Sequence, residues 1–336
     1  GYRAPAQNFL VADRAGSIGI RSTGRYPVRP GDGRGDRIFD GGVSSSDWVG
    51  DPPLSKYPQA LRPAQGYLAS ANQQPVDPAV RGEYFGWDWP APWRALRINE
   101  ILRGDSAMTP ERMRLAHTDP RSALTAPVLR AVRAAVTGGA EAGTTDGAEP
   151  ERAAMAFLEA WDGRFDVESK GAVLFDALLT ELARRTWDEL VLPGEDRRVA
   201  TPNQMLLVRL FDEPGSPWWD DRSTRDVREG RDEILRSALR GAWERTRQSR
   251  GNDPSAWRWG DQRRMHVRHL LQLPGFGRES LEVQSGPGTL SPSDGRGTFG
   301  ASWRFVVELG DTVTAWGTYP GGQSGNPVSS RYADLV

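Results

Sequence analysis

A chain of 336 residues with net charge −1, 38% hydrophobic and 26% charged residues can build one large or two ordinary globular domains, and its composition excludes disorder throughout. No run approaches the roughly 20 apolar residues that cross a bilayer as a helix, and the absence of cysteine excludes a thiol nucleophile, a disulfide framework and a thiolate zinc site from this sequence. The basic residues are arginine except Lys56 and Lys170, yet they alternate with acids, as in RSTRDVREGRDEILR, so a solvated mixed-charge surface is expected and no nucleic-acid partner.

In chain order, residues 8–30 read as paired strands: FLVA and SIGI flank the turn Asp13-Arg14-Ala15-Gly16, and Pro27 and Pro30 close the unit. Residues 30–92 are rich in Gly, Pro, Asp and Ser, with a brief strand expected at GYLASA (66–71). A helical centre follows. WRALRINEILR (93–103) spaces Leu96, Ile98, Ile101 and Leu102 on one side, and MTPERMRLAH starts a helix on Thr109 as cap, Pro110 and Glu111. Helices are expected at 121–136 and 151–161, separated by a connector, GGAEAGTTDGA (138–148), with nothing to bury. Residues 169–189 carry an apolar stripe of Val173, Leu174, Leu178, Leu182 and Ala183, and 226–248 one of Ile234, Leu235, Ala238, Leu239, Ala242 and Trp243. A Gly/Pro/Ser loop at 286–300 leads to a hairpin, SWRFVVEL and TVTAWGTY, about Gly310-Asp311. Strands at both ends around a helical middle predict an α+β unit whose terminal strands share one sheet.

No self-sufficient catalytic constellation stands out. His266 and His269 are three apart, as on one helix face, but two histidines need a third ligand to hold a metal. Asp261 and Glu279 lie at unconvincing spacings, so a structural or surface role is expected and no metal is assigned. His117 falls at a helix end, where a cation suits the dipole. Ser324 in GGQSGNP lacks the last glycine of a nucleophile elbow, since Asn326 stands there. Gly31, Gly33 and Gly35 form too short a run, between Pro and Asp, to make a good phosphate cradle. WDWPAPW (87–93) puts three of thirteen tryptophans within seven residues; it could stack a ligand, but anchoring a loop on the core is the simpler expectation.

Several segments, in order, resemble the penicillin acylase family of N-terminal nucleophile hydrolases. They are QNFLVADRAGSIGIRSTGRYPVR (7–29), GYLASANQQP (66–75), WRALRINEIL (93–102), MTPERMRLAHTDPRS (108–122), AWDGRFDVESKGAVLF (160–175), GASWRFVVEL (300–309) and YPGGQSGNPVSSRYADLV (319–336). The resemblance implies a partial αββα sandwich with a helical excursion: active-site-proximal strands and loops in 1–92, a helical region in 93–250, and returning strands with the GGQSGNP loop in 251–336. His117-Thr118-Asp119 departs from the family pattern, which often has a glutamine-led triplet there.

The resemblance also implies an amide hydrolase that works through a serine acyl-enzyme, the serine being exposed at a chain start by self-cleavage, with its own α-amine as base. Candidate substrates are N-acyl amides such as acyl-homoserine lactones and β-lactam side chains. This sequence is then expected to be the later part of the large chain. Gly1 cannot be the nucleophile, the partner is the upstream part of the same precursor, and the chain alone should be inactive. By the same resemblance Asn8 is the oxyanion asparagine, whose N–H meets the developing alkoxide, and Arg29, twenty-one residues on, supports the site's polar groups. No substrate-binding residue is assigned. No cofactor is implied; a structural calcium in the complete enzyme would be held mostly upstream. A periplasmic or secreted location follows from the family. The alternatives of another class are a non-catalytic or degenerate relative, or a tryptophan-rich ligand-binding module.

Overall fold

A computed structural model describes residues 2–77, 79, 84–141, 148–191, 199–224 and 226–335. It divides into two compact units. One comprises Gly1–Ser106 with Val307–Ala315, the other Ala107–Val306 with Trp316–Val336.

The first unit opens on the expected hairpin. Strand β1 (Gln7–Ala12) pairs antiparallel with β2 (Ile18–Thr23), and β2 pairs with β3 (Gln59–Leu61). The turn is locked by Asp13, whose carboxylate accepts from the N–H groups of Ala15 and Ser17, both at 2.9 Å. Gly16 takes φ +81°, which a side chain would resist. The third strand lies at Gln59–Leu61 and not at GYLASA, which forms no ladder. Its alternation is spent instead on a loop whose side chains bond elsewhere, as described below. Helix α1 (Trp93–Gly104) closes the unit, with Trp93 and Ala95 buried and Leu96 exposed.

The second unit is helical at heart. Helix α2 (Pro110–Ala116) starts as expected, Thr109 Oγ1 accepting from Arg112 N–H at 3.3 Å. Helix α3 (Thr125–Glu141) starts four residues later than the periodicity suggested. Residues 121 and 122 form bridges to Arg164 and Thr289 instead, and Ser122 Oγ accepts from Leu124 N–H. Helix α4 is Ala148–Glu159; most of the expected connector, residues 142–147, lies outside the described residues. Helices α5 (Gly171–Thr186) and α7 (Arg231–Arg250) pack on each other, and α7 also packs on α3 and α4; the short α6 (Gln204–Leu210) precedes α7. The stripes read from the sequence supply this core: Leu174, Leu178, Leu182, Ile234, Leu235 and Leu239 are fully enclosed. Trp259, in the one-turn α8 (Trp259–Gln262), is equally buried, and its indole N–H donates to Ser285 O at 2.8 Å.

Strands β4 (Arg264–Val267) and β5 (Arg278–Glu282) form a separate pair, as do β6 (Arg304–Glu308) and β7 (Thr314–Thr318). The α+β class is as expected, but among the described residues the terminal strands share no sheet. Each end pairs locally across a short turn, which costs far less loop-closure entropy than a pairing between the chain ends. The loop at 286–300 is less exposed than its composition suggested. Ser285, Thr289 and Ser291 are buried, and Ser285 Oγ donates to Ser291 O at 2.7 Å.

Candidate active-site cleft

The hairpin, the loop at residues 70–73, the start of the Gly-rich region and the tryptophan segment enclose a cleft of about 690 Å³ in the first unit. Its lining brings together Asn8, Arg29, Ser70, Asn72, Tyr84 and Trp87. Both sequence candidates are therefore in one cleft, and a second asparagine is with them.

Asn8 sits directly opposite Ser22 across the β1–β2 ladder. Its carboxamide is held at both ends: Ser22 Oγ donates to Oδ1 at 2.6 Å, and Nδ2 donates to Ser70 Oγ at 2.9 Å. Arg29 places its guanidinium 5.9 Å from the centroid of the Trp48 ring and packs against Gly35, where a Cβ would come within 2.8 Å of Cζ. Among the described residues Arg29 makes no hydrogen bond to an amide or carbonyl.

Those bonds are made by Arg94. Its Nη2 donates to Asn72 Oδ1 at 2.7 Å and to Ala71 O at 3.2 Å. Arginine has no acceptor, so it fixes the oxygen of Asn72 toward itself and turns the amide nitrogen away. Asn72 itself is left-handed, φ +63°, a conformation rare outside glycine and tolerated best by Asn. Beside it Gln73 Oε1 accepts from Ala71 N–H at 2.7 Å, mimicking a backbone turn bond. Asn72 is exposed, and among the described residues its Nδ2 has no acceptor. Sequence reasoning missed this pair. The signal available was an asparagine two residues after an apolar run and before Gln-Gln-Pro, followed by Trp93-Arg94 at a helix start.

The opposite wall is aromatic. Trp87 is 59% exposed, Tyr84 stacks with it at 6.5 Å, and Arg34 lies 4.4 Å from its ring centroid while bonding Asp36 at 3.0 Å. The WDWPAPW segment thus divides: Trp93 anchors the helix in the core, whereas Trp87 and Trp89 line the cleft. Gly31 and Gly33 have φ +67° and +72°, and the loop they shape carries Asp32 and Asp36, which do not suit a phosphate.

The histidines are dispersed. MHVRH is not helical: His266 lies on β4, its Nδ1 against the Glu279 carboxylate, and His269 lies beyond the strand with its ring 5.3 Å from Phe276. Pairing with β5 brings Glu279 to His266 although the two are thirteen residues apart. No group of three potential metal ligands occurs among the described residues. His117 does end α2, and burial and the neighbouring Arg304 cation push its imidazole below the ordinary value, which works against the helix-end cation expected there. Ser324 lies in a loop where its N–H donates to Arg331 O at 3.0 Å and its Oγ accepts from Asn326 N–H at 3.1 Å. No described helix is long and apolar enough to cross a membrane.

Comparison with known proteins converges on one family. A family model described as penicillin amidase matches residues 1–336. An acyl-homoserine lactone acylase, QuiP, of Pseudomonas aeruginosa is 30% identical over 99% of this chain and 43% of its own length. A penicillin acylase 2 proenzyme of Pseudomonas sp. is 28% identical over 97% of this chain and 42% of its own. The chain therefore spans less than half the length of these curated relatives. Among solved structures, a thermostable penicillin G acylase from Alcaligenes faecalis aligns with TM-score 0.68 and 19% identity, over 99% of this chain and 62% of that one. That likeness shows the fold, the N-terminal nucleophile hydrolase type expected from the sequence.

Proposed function

Since the chain belongs to the penicillin amidase family, we propose that it contributes the carbonyl-polarising wall of an acylase that cleaves N-acyl amides through a serine acyl-enzyme. The serine and its α-amine base are assigned to polypeptide outside these 336 residues. This accords with the 43% of the acyl-homoserine lactone acylase that the chain matches. On this reading the 336-residue chain alone hydrolyses no amide and works with the upstream part of the same precursor, in the periplasm or outside the cell. Its substrates are amides of the kinds the relatives are named for, acyl-homoserine lactones and penicillin-type side chains.

One observation carries the reading: Asn72 lines the cleft with its oxygen held by Arg94 at 2.7 Å, and among the described residues its amide nitrogen has no acceptor. A neutral N–H donor fixed in advance is what a carbonyl needs as it becomes an alkoxide, because no reorganisation is then required when charge develops. Asn8, the oxyanion asparagine expected from the sequence, stays in the proposal as an N–H donor of the same cleft. One of its two amide hydrogens goes to Ser70, and its oxygen is occupied by Ser22.

The test is Asn72→Ala in the full-length enzyme. Loss of one oxyanion donor should lower kcat about 10²–10³-fold with KM and Tm little changed. Near-normal kcat would remove Asn72 from the site, and a loss of that size in Asn8→Ala alone would assign the donor to Asn8.

A further inference from the structure

We infer that the second unit carries a ligand site of its own, a pocket beside helix α5 that takes an organic ammonium ion with an apolar body, its charged head on Asp176. The inference stands apart from the acylase reading.

The pocket follows from how α5 divides its faces. Leu174, Leu178 and Leu182 are spent on the core. Asp176, Thr180 and Arg184 recur every four residues on another face. Leu179 and Ala183 run in the row beside them, which Trp187 continues just past the helix end. Both rows line a cavity of about 540 Å³, within the roughly 300–1,000 Å³ of small-molecule sites. Leu190, Val191 and Val199 continue the lining, and Val199 N–H donates to Leu190 O at 3.3 Å. Thr201, Gln204 and Pro287 complete it. All these residues belong to the second unit.

The polar groups decide the class of ligand. Among the described lining residues Asp176 is the one acid and Arg184 the one cation. Asp176 Oδ2 accepts from the Gln262 amide at 2.7 Å. Among the described residues Oδ1 has no donor, and no cation forms an ion pair with either oxygen. Arg263 acts on the carboxylate through space, but its Nε and Nη2 go to Ser293 Oγ and Ser293 O. Charges withdrawn from water are normally paired, so this carboxylate is one partner short. Thr180, one turn on, spends its hydroxyl hydrogen on Asp176 O at 3.0 Å and has only lone pairs left to offer. The two groups therefore ask for a donor. Arg184 directs Nε and Nη2 to Glu181 Oε2, at 3.3 and 3.2 Å, so its charge is already answered. Leu179 and Trp187, each 7% exposed, supply the apolar surface, and an indole face also attracts an ammonium.

The experiment is equilibrium dialysis of the full-length enzyme against octylammonium, with octan-1-ol and octanoate as its neutral and anionic twins. It is repeated on Asp176→Asn and on Ala183→Phe, which fills the cavity. The binding counted is the part that Ala183→Phe removes, which sets aside any uptake at the cleft of the first unit. Octylammonium should saturate one such site and bind about tenfold or more tighter than octan-1-ol. It should lose about the same factor in Asp176→Asn, as expected for a hydrogen bond to a charged group. Octanoate should bind more weakly than either. If Ala183→Phe does not fold, the part lost in Asp176→Asn, which keeps the side-chain shape, takes its place. Octylammonium affinity unchanged in Asp176→Asn, or equal to that of octan-1-ol, overturns the proposal. So does tighter binding of octanoate, which would give the pocket to Arg184. Absence of any saturable uptake sensitive to either variant overturns it as well, since the cavity is then filled in the complete enzyme.

Discussion

Arg94 reaches back 22 residues to Asn72, its Nη2 lying 2.7 Å from Oδ1. The reach is possible because Trp93, the first residue of α1, is buried and fixes where the helix begins. The side chain on the next residue is thereby aimed at the 70–73 loop. The same nitrogen also meets Ala71 O at 3.2 Å, so one guanidinium restrains both the backbone and the side chain of a strained pair.

Replacing Arg94 by lysine should therefore not be conservative. An ammonium is a compact, strongly hydrated point charge on a flexible stem, without the planar donors that set direction. With both Arg94→Lys and Arg94→Ala, kcat of the full-length enzyme should fall about 10–100-fold, the range seen when an outer supporting bond to a site residue is lost. KM should move less than kcat. An Arg94→Lys enzyme with unchanged kcat would show that the clasp does not aim Asn72.

The spacing of this pair explains why part of the site was hidden in the sequence. Asn8 and Arg29 are twenty-one residues apart, Asn72 and Arg94 twenty-two. A search for an asparagine followed by an arginine 21 or 22 residues later fits four times, the other pairs being Asn99/Arg121 and Asn203/Arg225, so spacing singles out neither pair of the cleft. What separates the two is a left-handed φ at Asn72 and the start point of a helix, neither of which alternation or periodicity encodes. Elements whose signal is burial were legible: the stripes of α5 and α7 became the core, and the Asp13 turn became the hairpin. Pairing was legible where a short turn joins the strands, as in β1–β2 and β6–β7, and not elsewhere. GYLASA alternates like a strand but finds no partner, and MHVRH spaces its histidines as a helix face yet is drawn into a ladder with β5.

Gly171, the first residue of α5, is fixed by its neighbour. A Cβ there would lie 2.3 Å from Trp161 Cγ and 2.5 Å from Trp161 Cβ, so the ring could not move aside without shifting its own backbone. Trp161 in turn stacks edge-on against Phe165 at 5.3 Å and tilts against Phe175. Alanine normally favours a helix over glycine, by about 1 kcal/mol. Here overpacking should win, and Gly171→Ala should destabilise by about 1–3 kcal/mol. Denaturant titration would show a lower midpoint at unchanged m; an equal or higher midpoint would mean that the indole is freer than its contacts indicate.

Asp176, on α5, makes the clearest pH prediction. Burial pushes its carboxyl above the ordinary carboxylate value, outweighing the Arg263 cation and the Gln262 amide, which donates to Oδ2 at 2.7 Å. The folded chain thus holds the Asp176 proton more tightly than the unfolded chain does. Its contribution to stability is complete below the unfolded value, near 4, and is lost as pH rises through the raised folded value. Asn is close to the protonated form in shape, keeps an acceptor for Gln262 and never ionises. Asp176→Asn should therefore change Tm little at about pH 4 and raise it relative to the parent as pH climbs, the gap levelling off once pH has passed the raised folded value. Arg263 would lose a compensating charge in the variant, but that loss is already contained in the net upward shift of Asp176. Thermal melts of both chains from pH 4 to 8 decide the matter, and a gap that does not vary with pH would show that Asp176 is ionised in the fold without penalty.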